Sequence, residues 1–154
     1  MFALTFLSAL GASLVAGIFF AFSAFIMSAL GRLSPAGGIS AMQSINVVVL
    51  NPLFFAVFFG TAAAYLALAI AALIGWFNAS ATYLLAGSLL YLVCTILVTM
   101  LFNVPLNNRL ASVTPSSSEG AAVWTWYLSA WTAWNHLRTG ASLTAAASFI
   151  MALK

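Results

Sequence analysis

The sequence predicts an all-α integral membrane protein. The expected form is a four-helix bundle with a short interfacial helix between spans 1 and 2 and an aromatic-rich extension before span 4. Three observations predict this. Of 154 residues, 65% are hydrophobic and 3% are charged, whereas a surface facing water needs about a quarter charged. Mean hydropathy is +1.17. The apolar residues fall into four long runs, and a helix needs ~20 such residues to cross a bilayer. The spans are expected near 2–30, 52–76, 83–102 and 121–153, within one domain over 1–154. The net charge of +3 comes from too few groups to form a basic patch, which argues against nucleic acid as a partner.

The first run, Phe2 to Leu30, has no positive leader and is too long for a cleaved signal, so it reads as span 1. Ala9, Ser13, Gly17 and Ala21 recur every four residues and form a stripe that a second helix can approach closely. Such stripes leave a homo-oligomer open. Arg32, Pro35 and two glycines end the run. "ISAMQSINVVVL" is too short and too polar to span, and fits a helix lying in the interface. Asn51-Pro52 opens span 2, which should reach Trp76 before the loop "FNASA". Span 3 carries Tyr91, Thr95, Thr99 and Asn103 at four-residue spacing and should stop near Phe102, because Pro105 opposes helix just beyond. Its Cys94 has no partner for a disulfide and reads as a small packing residue. After a polar loop, Ser117 or Ser118 should cap the last helix, with Glu119 in its first turn. That helix begins rich in tryptophan and ends in small residues including Gly140, Thr144 and Ser148. The positive-inside rule places the loops bearing Arg32 and Arg109 in the cytoplasm.

Chemistry concentrates in "WTAWNHLRTGAS", Trp131 to Ser142. At about 100° per residue, Trp131, Thr132, Asn135, His136, Arg138, Thr139 and Ser142 share an arc of roughly 160°. Hydrocarbon offers such groups no partner, so the arc should face the bundle interior or the headgroups. Gln43, Asn46, Asn51, Asn103 and Asn107 are expected at the same end. With one acidic side chain in the chain, a Ser-His-Asp triad, paired glycosidase carboxylates and a standard zinc or non-haem iron site are excluded. His136 could serve as a general base, or as one axial haem ligand with Met27 or Met42 opposite. Structural roles stay open beside these: a snorkelling Arg138, a packed His136, an interfacial tryptophan belt and asparagine caps.

"FNVPLN" and "WNHLRT", with "GGISAMQSINVVVLNPLFF" and "LAGSLLYLVCTILVTM", resemble a family of small four-span membrane proteins that includes fungal anthrone oxygenases and many bacterial members. The resemblance covers nearly the whole chain. It implies a membrane-embedded oxidoreductase that converts a hydrophobic aromatic, such as an anthrone, with dioxygen. No cofactor is required in that reading. His136 would remove a proton, while Arg138, Asn135 and Asn103 stabilise the oxyanion. Trp131 and Trp134 would stack on the substrate, with Thr139, Asn107, Asn51, Asn46 and Gln43 lining the pocket. Two other readings are a haem-binding membrane protein with His136 axial, and a non-enzymatic lipid-binding or assembly subunit. The expected partners are the lipid bilayer and a hydrophobic small molecule. The expected location is a bacterial inner (cytoplasmic) membrane.

Overall fold

The computed structural model describes residues 2–76 and 80–154. Those residues form helices and connecting turns, with no strand among them. The elements are α1 (Phe2–Gly31), α2 (Pro35–Val48), α3 (Pro52–Leu73), α4 (Ala81–Ala111) and α5 (Ser118–Met151). Among the described residues, α1, α3 and α4 are long and apolar enough to cross a membrane. Their outward faces fit that solvent: Leu7, Leu14, Leu53, Leu89 and Leu101 are all more than half exposed. An aqueous surface would not keep so much contiguous apolar area open.

Local chemistry sets the helix ends. Pro35 and Pro52 occupy first turns, where a missing N–H costs nothing. The side chain of Ser34 accepts from the Gly37 amide at 3.3 Å, that of Asn51 from Phe54 at 3.0 Å, and that of Ser117 from Gly120 at 2.9 Å. At the end of α3, Gly75 turns left-handed with φ 86°. There the Gly75 amide donates to the Ala72 carbonyl and the Trp76 amide to that of Ala71. This Schellman closure ends α3 at Leu73, short of the expected Trp76. Most of the expected "FNASA" loop lies outside the described residues.

Helix α4 departs from expectation. It does not stop at Phe102 but continues through Pro105 to Ala111. A proline normally clashes with the carbonyl four residues back, here that of Leu101. Leu101 sits in a π-helical turn, Thr99–Asn103, closed by the Val104 amide on the Thr99 carbonyl five residues back. The wider turn makes room for the ring. The helix continues as a polar stretch carrying Asn107, and α2 packs against its end. Gln43 Nε2 donates to the carbonyls of Leu110 (2.9 Å) and Val113 (3.1 Å), satisfying a helix terminus that lacks intrahelical partners.

Packing runs along α5, which touches α1, α2 and α4. One core gathers Phe58, Tyr65, Tyr91 and Phe149; a second gathers Ile39, Met42, Leu110, Trp124 and Tyr127. Gly38 allows α2 to lie against the Trp124 ring, which a Cβ would meet at 2.6 Å. The polar residues of α5 occupy the gap between the two cores.

Candidate functional site

Two helices change pitch where they pass the polar stretch of α5. In α1, Phe22–Ile26 form a π turn closed by the Met27 amide on the Phe22 carbonyl. In α4, π turns cover Leu90–Leu97 and Thr99–Asn103. Such wide turns are rare and often mark functional positions. Here they bring Ser23 and Thr99 to opposite sides of Asn135 and Arg138.

Asn135 is fully buried, and its side chain is saturated. Its Nδ2 donates to the Phe19 carbonyl at 2.7 Å and to Ser23 Oγ at 2.8 Å, tying α5 to α1. Its Oδ1 accepts from Arg138 Nη2 at 2.8 Å. Arg138 Nη1 donates to Thr99 Oγ1 at 3.1 Å, which reaches α4. Thr139 donates to the Asn135 carbonyl and lies 3.1 Å from Ser23 Oγ. One turn on, Ser142 pairs with Thr95 at 2.8 Å.

Arg138 is the unusual member. It is 3% exposed. The chain's single acidic side chain, Glu119, pairs with Arg109 at 3.1 Å on the exposed surface. No carboxylate side chain therefore neutralises Arg138. Its Nε is buried without a hydrogen-bond partner. The guanidinium carbon lies 4.2 Å above the Phe19 ring centroid and 5.1 Å from that of Trp131. Ring faces compensate part of the charge. They do not satisfy a donor, and an unpaired buried charge is costly.

Arg138 lines a cavity of about 170 Å³ whose walls are mainly aromatic and aliphatic, including Phe19, Phe22, Phe54, Phe58 and Trp131. Four polar residues share the lining: Arg138, Thr99, Asn46 and Asn107. Asn107 Oδ1 accepts from Trp131 Nε1 at 2.9 Å and from the Tyr127 hydroxyl at 2.8 Å. Asn46 Nδ2, like Arg138 Nε, is buried without a partner. Two unpartnered donors in the wall of an apolar cavity suit an oxygen that carries negative charge.

The family model for anthrone oxygenase matches residues 53–148. The chain belongs to this family. The matched region contains α3, α4 and most of α5, and so contains Arg138, Asn135, Thr99 and the phenylalanines of α3. No curated protein and no solved structure matches the chain.

The structure divides the residues that the polar arc and the resemblance single out. Trp131, Arg138, Asn46 and Asn107 line the cavity, and Asn135 and Thr139 lie behind Arg138. His136 does not join them. It is exposed and lines a separate open groove between α1 and α5, with Ser28, Arg32 and Thr132. Two residues from Arg138 on a helix is about 200°, so the two side chains leave on nearly opposite sides. His136 is therefore not among the residues that line the Arg138 cavity. Met27 shares that groove's wall with hydroxyl side chains from both helices. Met42 lines the other cavity. No cluster of three His, Cys, Asp or Glu suited to a metal ion occurs among the described residues.

Trp134 also points elsewhere, stacking on Phe102 at 3.8 Å beside a different hollow. Asn51 is the α3 cap, and Gln43 clamps the end of α4. Asn103 is buried and donates to the Trp131 carbonyl at 3.3 Å, joining α4 to α5. The sequence reading missed Phe19, Phe22, Phe54, Phe58 and Ser23. A usable signal existed for two of them: Phe54 and Phe58 stand four apart on one face of α3, at the same end as the polar arc.

Proposed function

We propose that this protein is a membrane-embedded oxidoreductase that oxidises a hydrophobic aromatic molecule with dioxygen in the Arg138 cavity, as an anthrone oxygenase does. In this reading α5 is the fourth span of a bundle in a bacterial cytoplasmic membrane. Its polar residues are turned inward, which is where lipid forces them. The observation that carries the proposal is the buried guanidinium of Arg138, without a carboxylate and with a free Nε, in a cavity walled by aromatic rings.

An anthrone carries a ring methylene conjugated to a ketone. Loss of one methylene proton delocalises charge onto the ketone oxygen. Arg138 Nε and Asn46 Nδ2 would donate to that oxyanion, and the low polarity of the cavity strengthens the attraction. No positioned base is needed, because stabilising the anion draws the proton off to water. The electron-rich anion then passes an electron to dioxygen, and the resulting radicals join as a carbon–oxygen bond. Protonation gives a hydroperoxide. Loss of the second methylene proton with cleavage of the O–O bond leaves the quinone carbonyl and one water. One dioxygen is consumed per substrate. Asn135 and Thr99 act through Arg138 as positioning residues, each holding one Nη.

The test is oxygen uptake by the purified protein with an anthrone. Wild type should exceed the spontaneous rate. Arg138→Ala should fall by about 100-fold or more, as when an oxyanion donor is removed. Uptake no faster than the spontaneous rate, or equal in wild type and Arg138→Ala, refutes the proposal.

A further inference from the structure

The Arg138 cavity is not closed on every side. It shares Ile18, Val49 and Phe54 with a second hollow of about 440 Å³, walled further by Leu14, Leu53 and Val57. The two form one trough between α1 and α3. Leu14 and Leu53, at its outer rim, are 61% and 76% exposed, and they face the side where lipid would lie. From Phe22 to Leu14 the trough follows α1 for about 12 Å.

Polarity along this trough is one-sided. The free donors, Arg138 Nε and Asn46 Nδ2, belong to residues that line the Arg138 cavity and not the outer hollow. Arg138 Nη1 and Nη2 are already held by Thr99 and Asn135, so the wholly unpartnered Nε faces a single oxygen best. The outer end offers one polar side chain, Asn51. Its Oδ1 accepts from the Phe54 amide and its Nδ2 donates to the carbonyls of Val48 and Val49. A ligand filling the trough meets one cation at its head and hydrocarbon along its length.

We infer that the substrate is an amphiphile: an aromatic head with one acidic hydroxyl or enol, whose anion meets Arg138, and an apolar chain lying in the trough between α1 and α3. The head rests on the oxygenase reading above; the chain is the addition. Such a molecule already resides in the bilayer. It can slide in sideways with its tail still among lipid chains, so the tail loses no apolar surroundings during binding.

The experiment uses two probes that absorb differently when ionised, 4-methyl-2-nitrophenol and 4-octyl-2-nitrophenol. Each is titrated into the detergent-solubilised protein, and phenolate absorbance is read. Wild type should bind both as phenolates. Leu14→Trp and, on the facing wall, Val57→Phe narrow the trough. Each should weaken the octyl probe by about tenfold or more, as crowding a packed site does, while leaving the methyl probe within about twofold. Comparison in the same micelles cancels partitioning. Arg138→Gln should remove the phenolate signal of both probes. Octyl binding unchanged in both narrowed variants, or absent from wild type, overturns the chain assignment. A phenolate signal that survives Arg138→Gln overturns the head. If the probes behave as expected but anthrone-dependent oxygen uptake is absent, the oxygenase reading falls and the binding site stands.

Discussion

Asn135→Asp is a sharp probe of the site because it changes charge almost without changing shape. The new carboxylate would stand where Asn135 Oδ1 now accepts from Arg138 Nη2 at 2.8 Å. It would give Arg138 the counter-charge that the chain otherwise lacks. A bound oxyanion at Nε would lie across the guanidinium, roughly 6 Å from the carboxylate by ordinary hydrogen-bond lengths. At an effective dielectric of about 20, two negative charges at that distance repel by about 3 kcal/mol. That corresponds to a loss of about 100-fold in affinity for a phenolate. Stability changes in the other direction only in part, because the substitution also removes the donors to the Phe19 carbonyl and Ser23. The measurement is titration of a nitrophenolate, with thermal unfolding in detergent run alongside. Binding within threefold of wild type in a folded Asn135→Asp protein would refute the argument that Arg138 is held free for an anion.

Two further outcomes follow from the geometry. His136→Ala should leave anthrone-dependent oxygen uptake within about twofold, since oxyanion and proton-transfer effects of 100-fold need contact with the reacting groups; a 100-fold loss would return His136 to the site. Gly87→Ala sets a Cβ 2.7 Å from the Phe149 ring, where α4 crosses α5. It should destabilise the protein by about 1–3 kcal/mol, seen as a lower unfolding temperature; an unchanged temperature would mean that this contact is loose.

Much of the fold could be read from the sequence, for physical reasons that show in single residues. Asn51 and Ser117 cap helices because their side chains accept from orphan amides wherever they precede an apolar run. The membrane character follows from the scarcity of charge. What escaped was pitch. Against α-helical geometry Pro105 predicts an end to α4 near Phe102, and the π turn at Thr99–Asn103 removes the clash. The site was half legible. Arg138, Asn135 and Thr139 turn inward because lipid offers them nothing. His136 and Trp134 lie on the same stretch but point to other hollows: His136 stands at the far edge of the polar arc from Arg138, and Trp134 stands outside the arc. Residue type alone places Asn51 and Gln43 in the site, whereas helix ends use both. The phenylalanine walls stayed hidden because one apolar residue looks like another in a lipid-facing sequence.

The π turn in α4 also works as a vernier. It holds one residue more than an ordinary turn, so the helix beyond it is rotated relative to the helix before it. Closing Thr99–Asn103 to ordinary α pitch with the residue kept would swing everything downstream by about 100°. Thr95 would stay opposite Ser142. Asn107 would leave Trp131 and Tyr127, and the Leu110 carbonyl would leave Gln43. The added residue thus keeps both halves of α4 in phase with α5 and its far end in phase with α2, and the Arg138 cavity lies where the phases meet.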